Sequence, residues 1–150
     1  MTNTGPRVAP PEAVNSLAGR VAIVTGGARG IGEAITRSLA AGGAHVAAGY
    51  HNDAAAAEAL QHEMLDSGWS MSIHQGSVGD PADCQRVVSE VLEGHGKVDI
   101  VVNNAGITVD KTVRKMTIDD WHAVLRINLS GAFYMTKAVL DHMLEAGYGR

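Results

Sequence analysis

The 150-residue sequence holds a single cysteine, Cys84. An internal disulfide is therefore impossible and a cysteine-ligated metal site is excluded. Basic residues are not in excess: 12 Lys and Arg stand against 16 Asp and Glu, for a formal net charge of −4. A nucleic-acid-binding domain should be basic, so that class is set aside. Apolar runs such as residues 21–24 and 100–102 fall far short of the roughly 20 residues a bilayer demands. No charged segment followed by an apolar stretch opens the chain, so no secretory signal is expected. The seven histidines form no ligand pattern, since His62-Glu63-Met64-Leu65-Asp66 fails the His-Glu-x-x-His spacing. They are expected on the surface or in loops. Aromatic residues make up only 4%. A soluble cytoplasmic protein without membrane or nucleic-acid partners is what these absences leave.

Glycine is abundant, at 18 residues. Many small residues with few aromatics suit α/β proteins, where chains pass closely. At 45% hydrophobic and 19% charged, the composition is that of one globular domain. Residues 1–16 contain Pro6, Pro10 and Pro11 and read as a flexible tail; residues 17–150 read as the domain. Short apolar runs at 21–25, 45–50 and 98–102 and an alternating segment at 69–75 are predicted strands. Helical spacing is predicted at 30–41, 54–66 and 81–92, the last with Asp80 as N-cap and Pro81 at the first position. Thr117 with Asp120 three residues on is an acidic form of the capping box. Trp121, Val124, Leu125, Phe133, Met135, Val139, Leu140 and Met143 continue the apolar pattern, with Gly131 marking a break or close contact. Strands that are apolar throughout and alternate with helices indicate a parallel sheet covered on both faces.

The first strand runs into Thr25-Gly26-Gly27-Ala28-Arg29-Gly30-Ile31-Gly32. This spacing is a relative of the dinucleotide fingerprint. Gly26 permits the turn off the strand, Gly30 lets N–H groups approach a pyrophosphate, and Gly32 lets the helix pack close. The helix N-terminus then faces the phosphates. An ordinary strand–helix turn is the plainer alternative. The end of the second strand reads Gly49-Tyr50-His51-Asn52, where an NAD site usually has a carboxylate for the ribose. Asp53 reads as a helix cap. With Arg29 available to pair with a 2′-phosphate, NADP is favoured over NAD. Asn103-Asn104-Ala105-Gly106 closes the fourth strand, at the ligand edge of an open α/β sheet. Lys111, Arg114 and Lys115 form a basic cluster, read equally as a solvated loop or a phosphate contact.

In this order and spacing, the segments 25–32, 103–106 and Arg126-Ile127-Asn128-Leu129 resemble the short-chain dehydrogenase/reductases. The stretches 103–108, 114–117 and 120–121 most resemble the bacterial reductases of acetoacetyl-CoA and 3-oxoacyl-acyl-carrier protein. The resemblance implies a Rossmann-type, doubly wound parallel sheet, cut after the fourth strand and the helices that follow. It implies cofactor contacts at Thr25, Gly26, Arg29, Gly30, Ile31, Gly32, Tyr50, Ser77, Val78, Asn104, Ala105 and Gly106. Asn128 would be the catalytic asparagine that holds a water in a proton relay. NADPH would deliver hydride to a 3-oxoacyl thioester, and the full-length form would be a homotetramer. Two positions depart from the pattern. Ser77 stands where the family usually has an aspartate against the adenine. Tyr134 stands where carrier-protein reductases often have a basic residue, which tilts the substrate towards CoA. The family's serine and Tyr-x-x-x-Lys lie beyond the position matched by Gly149-Arg150; Tyr134 and Lys137 have the wrong spacing. Strand four is then expected to be an unpaired edge. The 150 residues alone are expected to bind NADPH weakly or not at all, without turnover. A non-catalytic cofactor-binding or assembly partner, and a reductase of a sugar, polyol or steroid ketone, stand as alternatives.

Overall fold

The computed structural model describes residues 16–150. The tail expected over 1–16 lies, but for Ser16, outside the described residues. Four strands, β1 (Val21–Val24), β2 (His45–Tyr50), β3 (Met71–Gln75) and β4 (Ile100–Val102), form one sheet in the order β3-β2-β1-β4, with all pairings parallel. The helices α1 (Gly30–Ala41), α2 (Ala54–Asp66), α3 (Pro81–His95), α4 (Ile118–Leu125) and α5 (Gly131–Glu145) connect and flank them. This is the parallel sheet that the alternation of strands and helices implies, in the truncated Rossmann-type arrangement that the family resemblance implies.

Side chains of β1 leave the sheet alternately, and each set finds a helical layer. Val21 and Ile23 join Val88 and Val91 of α3 and Met135 and Val139 of α5. Val24, with Val46 and Ala48 of β2, joins Ala40 at the end of α1 and Leu60 and Met64 of α2. Helix ends follow the expected chemistry. Asp53 caps α2 by accepting from Ala56 N, Asp80 caps α3 by accepting from Ala82 N, and both halves of the Thr117–Asp120 box are made. Helix α3 runs one turn past its expected end, to Gly96 in the left-handed region at φ 73°. Strands β3 and β4 each start two residues later than expected. The β4 edge is not wholly bare: Arg150 N–H donates to Asp99 O at 3.0 Å, and Arg150 O accepts from Val101 N–H at 2.9 Å.

Between α4 and α5 the chain widens into a π-helical turn at Arg126–Ser130, and a Cβ on Gly131 would stand 2.8 Å from Val78 Cγ2. Gly131 is thus both the break and the close contact. The continuous packing face expected for these helices is corrected. Met135 and Val139 are buried, but Trp121, Leu129, Phe133, Leu140 and Leu144 are 45–68% exposed. Among the described residues, the α5 side that carries Met135 and Val139 packs on α3 and the core, and the remaining apolar residues form a second stripe. Ile31 and Leu65, counted in the helix patterns, are also exposed.

The histidines are not all peripheral, which is a second correction. His45 starts β2 half-buried, its ring centroid 3.7 Å from that of His95. Its Nδ1 lies 2.6 Å from Ser70 Oγ and its Nε2 lies 3.0 Å from Ser72 Oγ. Burial, followed by the neighbouring His95 and His74, pushes its pKa down to about 4 from 6.5. As pH falls from 6.5 to 4, the unfolded chain takes up a proton that the native ring refuses, so stability falls across that window and levels below it. After allowance for solvent screening of a half-buried ring, we expect a loss of about 1 kcal/mol. His45→Gln should flatten that part of the stability–pH curve in urea titrations.

Candidate functional site

Strands β1 to β4 all point their carboxyl ends at one edge, and the order reverses between β1 and β4. That reversal is where open α/β sheets take ligands. A cleft of about 530 Å³ opens there. Every residue expected to contact a cofactor lines it: Thr25, Gly26, Arg29, Gly30, Ile31, Gly32, Tyr50, Ser77, Val78, Asn104, Ala105 and Gly106. Asn128 is not among the lining residues.

The glycine loop has three kinds of constraint. Gly26 sits at φ 64° and Gly30 at φ 56°, the left-handed region that favours glycine. A Cβ on Gly32 would stand 2.0 Å from Gly26 O and 2.6 Å from Asn104 Nδ2. Gly27 N–H donates to Gly49 O at 2.9 Å, and Gly27 O accepts from the buried Thr36 hydroxyl at 2.9 Å. Arg29 occupies the N-cap of α1 but makes no side-chain cap bond. The helix therefore presents its first N–H groups to the cleft uncapped by that side chain. With the helix dipole, such groups form an anion site. Nothing lies within 4 Å of a Cβ on Gly30, so the backbone there is open to a close ligand. These features fit the pyrophosphate of a dinucleotide.

A second loop, after β4, is bound to the first. The buried Thr25 hydroxyl accepts from Asn104 N–H and Ala105 N–H, each at 3.0 Å. Asn104 Nδ2 donates back to Thr25 O at 2.9 Å and to Gly26 O at 3.3 Å. Asn103 Nδ2 donates to Thr136 Oγ1 of α5 at 3.2 Å. The far end of the loop is held by Asn128, whose Oδ1 accepts from Ile107 N–H at 2.8 Å and whose Nδ2 donates to Ile107 O at 2.9 Å. Asn128 lies in the π turn, a distortion frequent at functional sites. Its amide is engaged by the loop, so the side chain braces the site.

At the end of β2, Tyr50, His51, Asn52 and Asp53 line the cleft with Arg29. Asp53 is taken up as the α2 cap, as its position suggested. After β3, Ser77 N–H donates to Asp83 Oδ2 at 2.8 Å, and Ser77 Oγ accepts from Gly79 N–H at 3.3 Å. Lys111 of the basic cluster pairs with Asp120 Oδ2 at 2.7 Å. That contact, with the Thr117 bonds, brings the Asp120 carboxyl down to about 2. Cys84 is buried, and burial first, then Asp83 and Asp80, pushes its thiol up to about 11, which makes it inert. Three contributors escaped the sequence reading. Thr36, Asp83 and Ile107 act through bonds to backbone or through their own backbone, and their residue types carry no signal of it.

Comparison with known proteins agrees with this geometry. The family model for short chain dehydrogenases matches residues 20–150. An acetoacetyl-CoA reductase of Allochromatium vinosum is 43% identical over 132 residues, which are 87% of this chain and 54% of that protein. A 3-oxoacyl-[acyl-carrier-protein] reductase of Synechocystis is 37% identical over 137 residues, 91% of this chain and 56% of that one. A short chain dehydrogenase of Burkholderia cenocepacia, solved in complex with NADP, superimposes with a TM-score of 0.81 at 38% identity, over 85% of this chain and 52% of its own. The chain thus spans about half the length of the curated relatives it matches. With the family model covering nearly all of the described residues and the solved relative superimposing over 85% of the chain, the chain belongs to the short-chain dehydrogenase family.

Proposed function

We propose that these residues form the cofactor-binding half of an NADPH-dependent, cytoplasmic reductase that converts a 3-oxoacyl thioester to the 3-hydroxyacyl thioester. The observation that carries the cofactor reading is the α1 N-terminus, open behind the Gly26–Gly32 loop at the β1/β4 reversal. The bound dinucleotide supplies a hydride. The chain's own residues bind and orient it: backbone N–H groups at Gly30 to Gly32 take the pyrophosphate, and Arg29 pairs with a 2′-phosphate. The end of β2 itself, Gly49-Tyr50, carries no carboxylate, and Asp53, which lines the cleft beyond it, is held at Oδ1 by Ala56 N–H as the α2 cap. The activities that name the two reductases above support the thioester substrate, from CoA or a carrier protein. Among the described residues no helix is long and apolar enough to cross a membrane.

Asn128 fits its proposed place in a proton relay in a particular way. Its amide gives Ile107 one acceptor direction and one N–H, and the remaining one of each kind would hold the relay water. The exposed stripe of Leu129, Phe133, Leu140 and Leu144 supports the homotetramer proposed for the full-length form, since an apolar face of this kind marks an interface.

Titration of NADPH and NADH into the 150-residue polypeptide tests the cofactor. We expect NADPH to bind more weakly than about 1 μM, yet about tenfold tighter than NADH. Arg29→Ala should remove the preference and leave NADH affinity unchanged. Equal affinities in the parent chain would defeat the NADP assignment. Reduction of acetoacetyl-CoA needs a polypeptide that also supplies the serine and Tyr-x-x-x-Lys, and an intact mass above 15.6 kDa in the source cells would identify one.

A further inference from the structure

The loop after β3 walls the cleft beyond the ribose end of β2, and its polar contacts do not belong to the phosphate site. His74, Gly76, Ser77, Val78, Asp83 and Val87 line this end. Pyrophosphate at the tip of β1 and ribose at the tip of β2 leave the purine base for this end of the cleft, given strands about 4.8 Å apart. An adenine ring brings an exocyclic amine, a donor that needs an acceptor on the protein.

Two carboxylates line the cleft, Asp53 and Asp83. Asp53 is the cap of α2. Asp83 stands in the first turn of α3, and its two oxygens are fixed from behind. Oδ2 accepts from Ser77 N–H and Oδ1 accepts from Arg86 Nη2, both at 2.8 Å. Arg86 is itself pinned, to Gln75 O and to Glu90 Oε1 at 2.7 Å each, and Glu90 Oε2 lies 2.8 Å from His74 Nδ1. The Asp83 carboxylate is thus oriented by a chain of charge-assisted bonds that reaches β3. A carboxylate offers about four acceptor directions, and two are used. Its side chain keeps 33% exposure.

Resting on the cofactor reading above, we propose that Asp83 accepts the 6-amino group of the cofactor's purine and is the base-specificity residue of this cleft. Ser77 N–H, first, and Arg86 hold the carboxyl below the ordinary range, so it is an ionised acceptor at neutral pH.

The test compares 5′-AMP with purine riboside 5′-monophosphate, which lacks only the 6-amino group, by NMR titration of the 150-residue chain at millimolar nucleotide. The expected result is about tenfold tighter binding of 5′-AMP, the low end for a hydrogen bond to a charged group at a part-exposed site. In Asp83→Asn the one remaining oxygen cannot serve Ser77, Arg86 and the amine together. That variant should lose about tenfold on 5′-AMP, keep its affinity for the analogue, and so lose the preference. Equal binding of the two nucleotides by the parent chain overturns the proposal without any variant, and leaves the cofactor reading standing. An equal loss on both in Asp83→Asn does the same, reducing Asp83 to a brace for the loop. If neither nucleotide shifts the Ser77 and Val78 amide signals, the cofactor reading falls and the proposal with it.

Discussion

Gly32→Ala is expected to unmake the loop and its ligand site together. The added methyl would lie 2.0 Å from Gly26 O, 2.8 Å from Gly26 C and 2.6 Å from Asn104 Nδ2. None of these is the free end of a flexible side chain. Gly26 O belongs to a backbone fixed at φ 64°, and Asn104 is bonded to Thr25 O. Relief requires that the first turn of α1 move off the sheet, which also carries its N–H groups away from the phosphate position. We expect a cost of about 3 kcal/mol or more in urea unfolding, at the upper end for overpacking, with nucleotide binding lost. Gly30→Ala makes the contrast. A Cβ there meets nothing within 4 Å, but the residue sits at φ 56°, so about 1–2 kcal/mol of backbone strain is expected. The methyl would project where the ligand comes close, so binding should fall further than stability. Wild-type binding in both variants would mean that the loop is not the phosphate site.

Much of this was legible in the sequence because the signals are local. The β1 run, the glycine spacing, the α1 and α2 boundaries and the Thr117–Asp120 box each depend on a few adjacent residues. The twelve positions expected to contact a cofactor fall on one cleft because the glycine loop, Ser77-Val78 and Asn104–Gly106 follow the carboxyl ends of β1, β3 and β4, Tyr50 ends β2, and a parallel sheet gathers those ends. What could not be read depends on partners distant in sequence. Trp121 and Phe133 have the spacing of a packing face, yet helix periodicity does not say which of two stripes meets α3. His45 looks like any polar residue at a strand start until β3 and α3 bring Ser70, Ser72 and His95 to it. Asp83 reads as a first-turn helix acid, and only the return of the loop to Ser77 gives it a position in the cleft. The bond from Asn128 to Ile107 spans 21 residues, so no local motif announces it.

Thr25→Val should show that the site is a junction of two loops, not a single glycine motif. The substitution keeps shape and burial, and removes one oxygen. That oxygen accepts from Asn104 N–H and Ala105 N–H at 3.0 Å each, at a residue only 3% exposed. Two backbone donors would lose their partner in a place with little water, at about 1–3 kcal/mol each. We expect a loss of about 3 kcal/mol, measured by urea denaturation, with Thr25→Ser close to the parent because the acceptor remains. Nucleotide affinity should drop in step, as Asn104, Ala105 and Gly106 line the cleft. The loop's other anchor is Asn128, so the two ends hold one segment. Asn128→Ala combined with Thr25→Val should then cost less than the two single losses added, since a loop already released at one end has less to lose at the other. Strict additivity would show instead that residues 104–107 are held locally at each end, and that the brace from the π turn does not reach the phosphate loop.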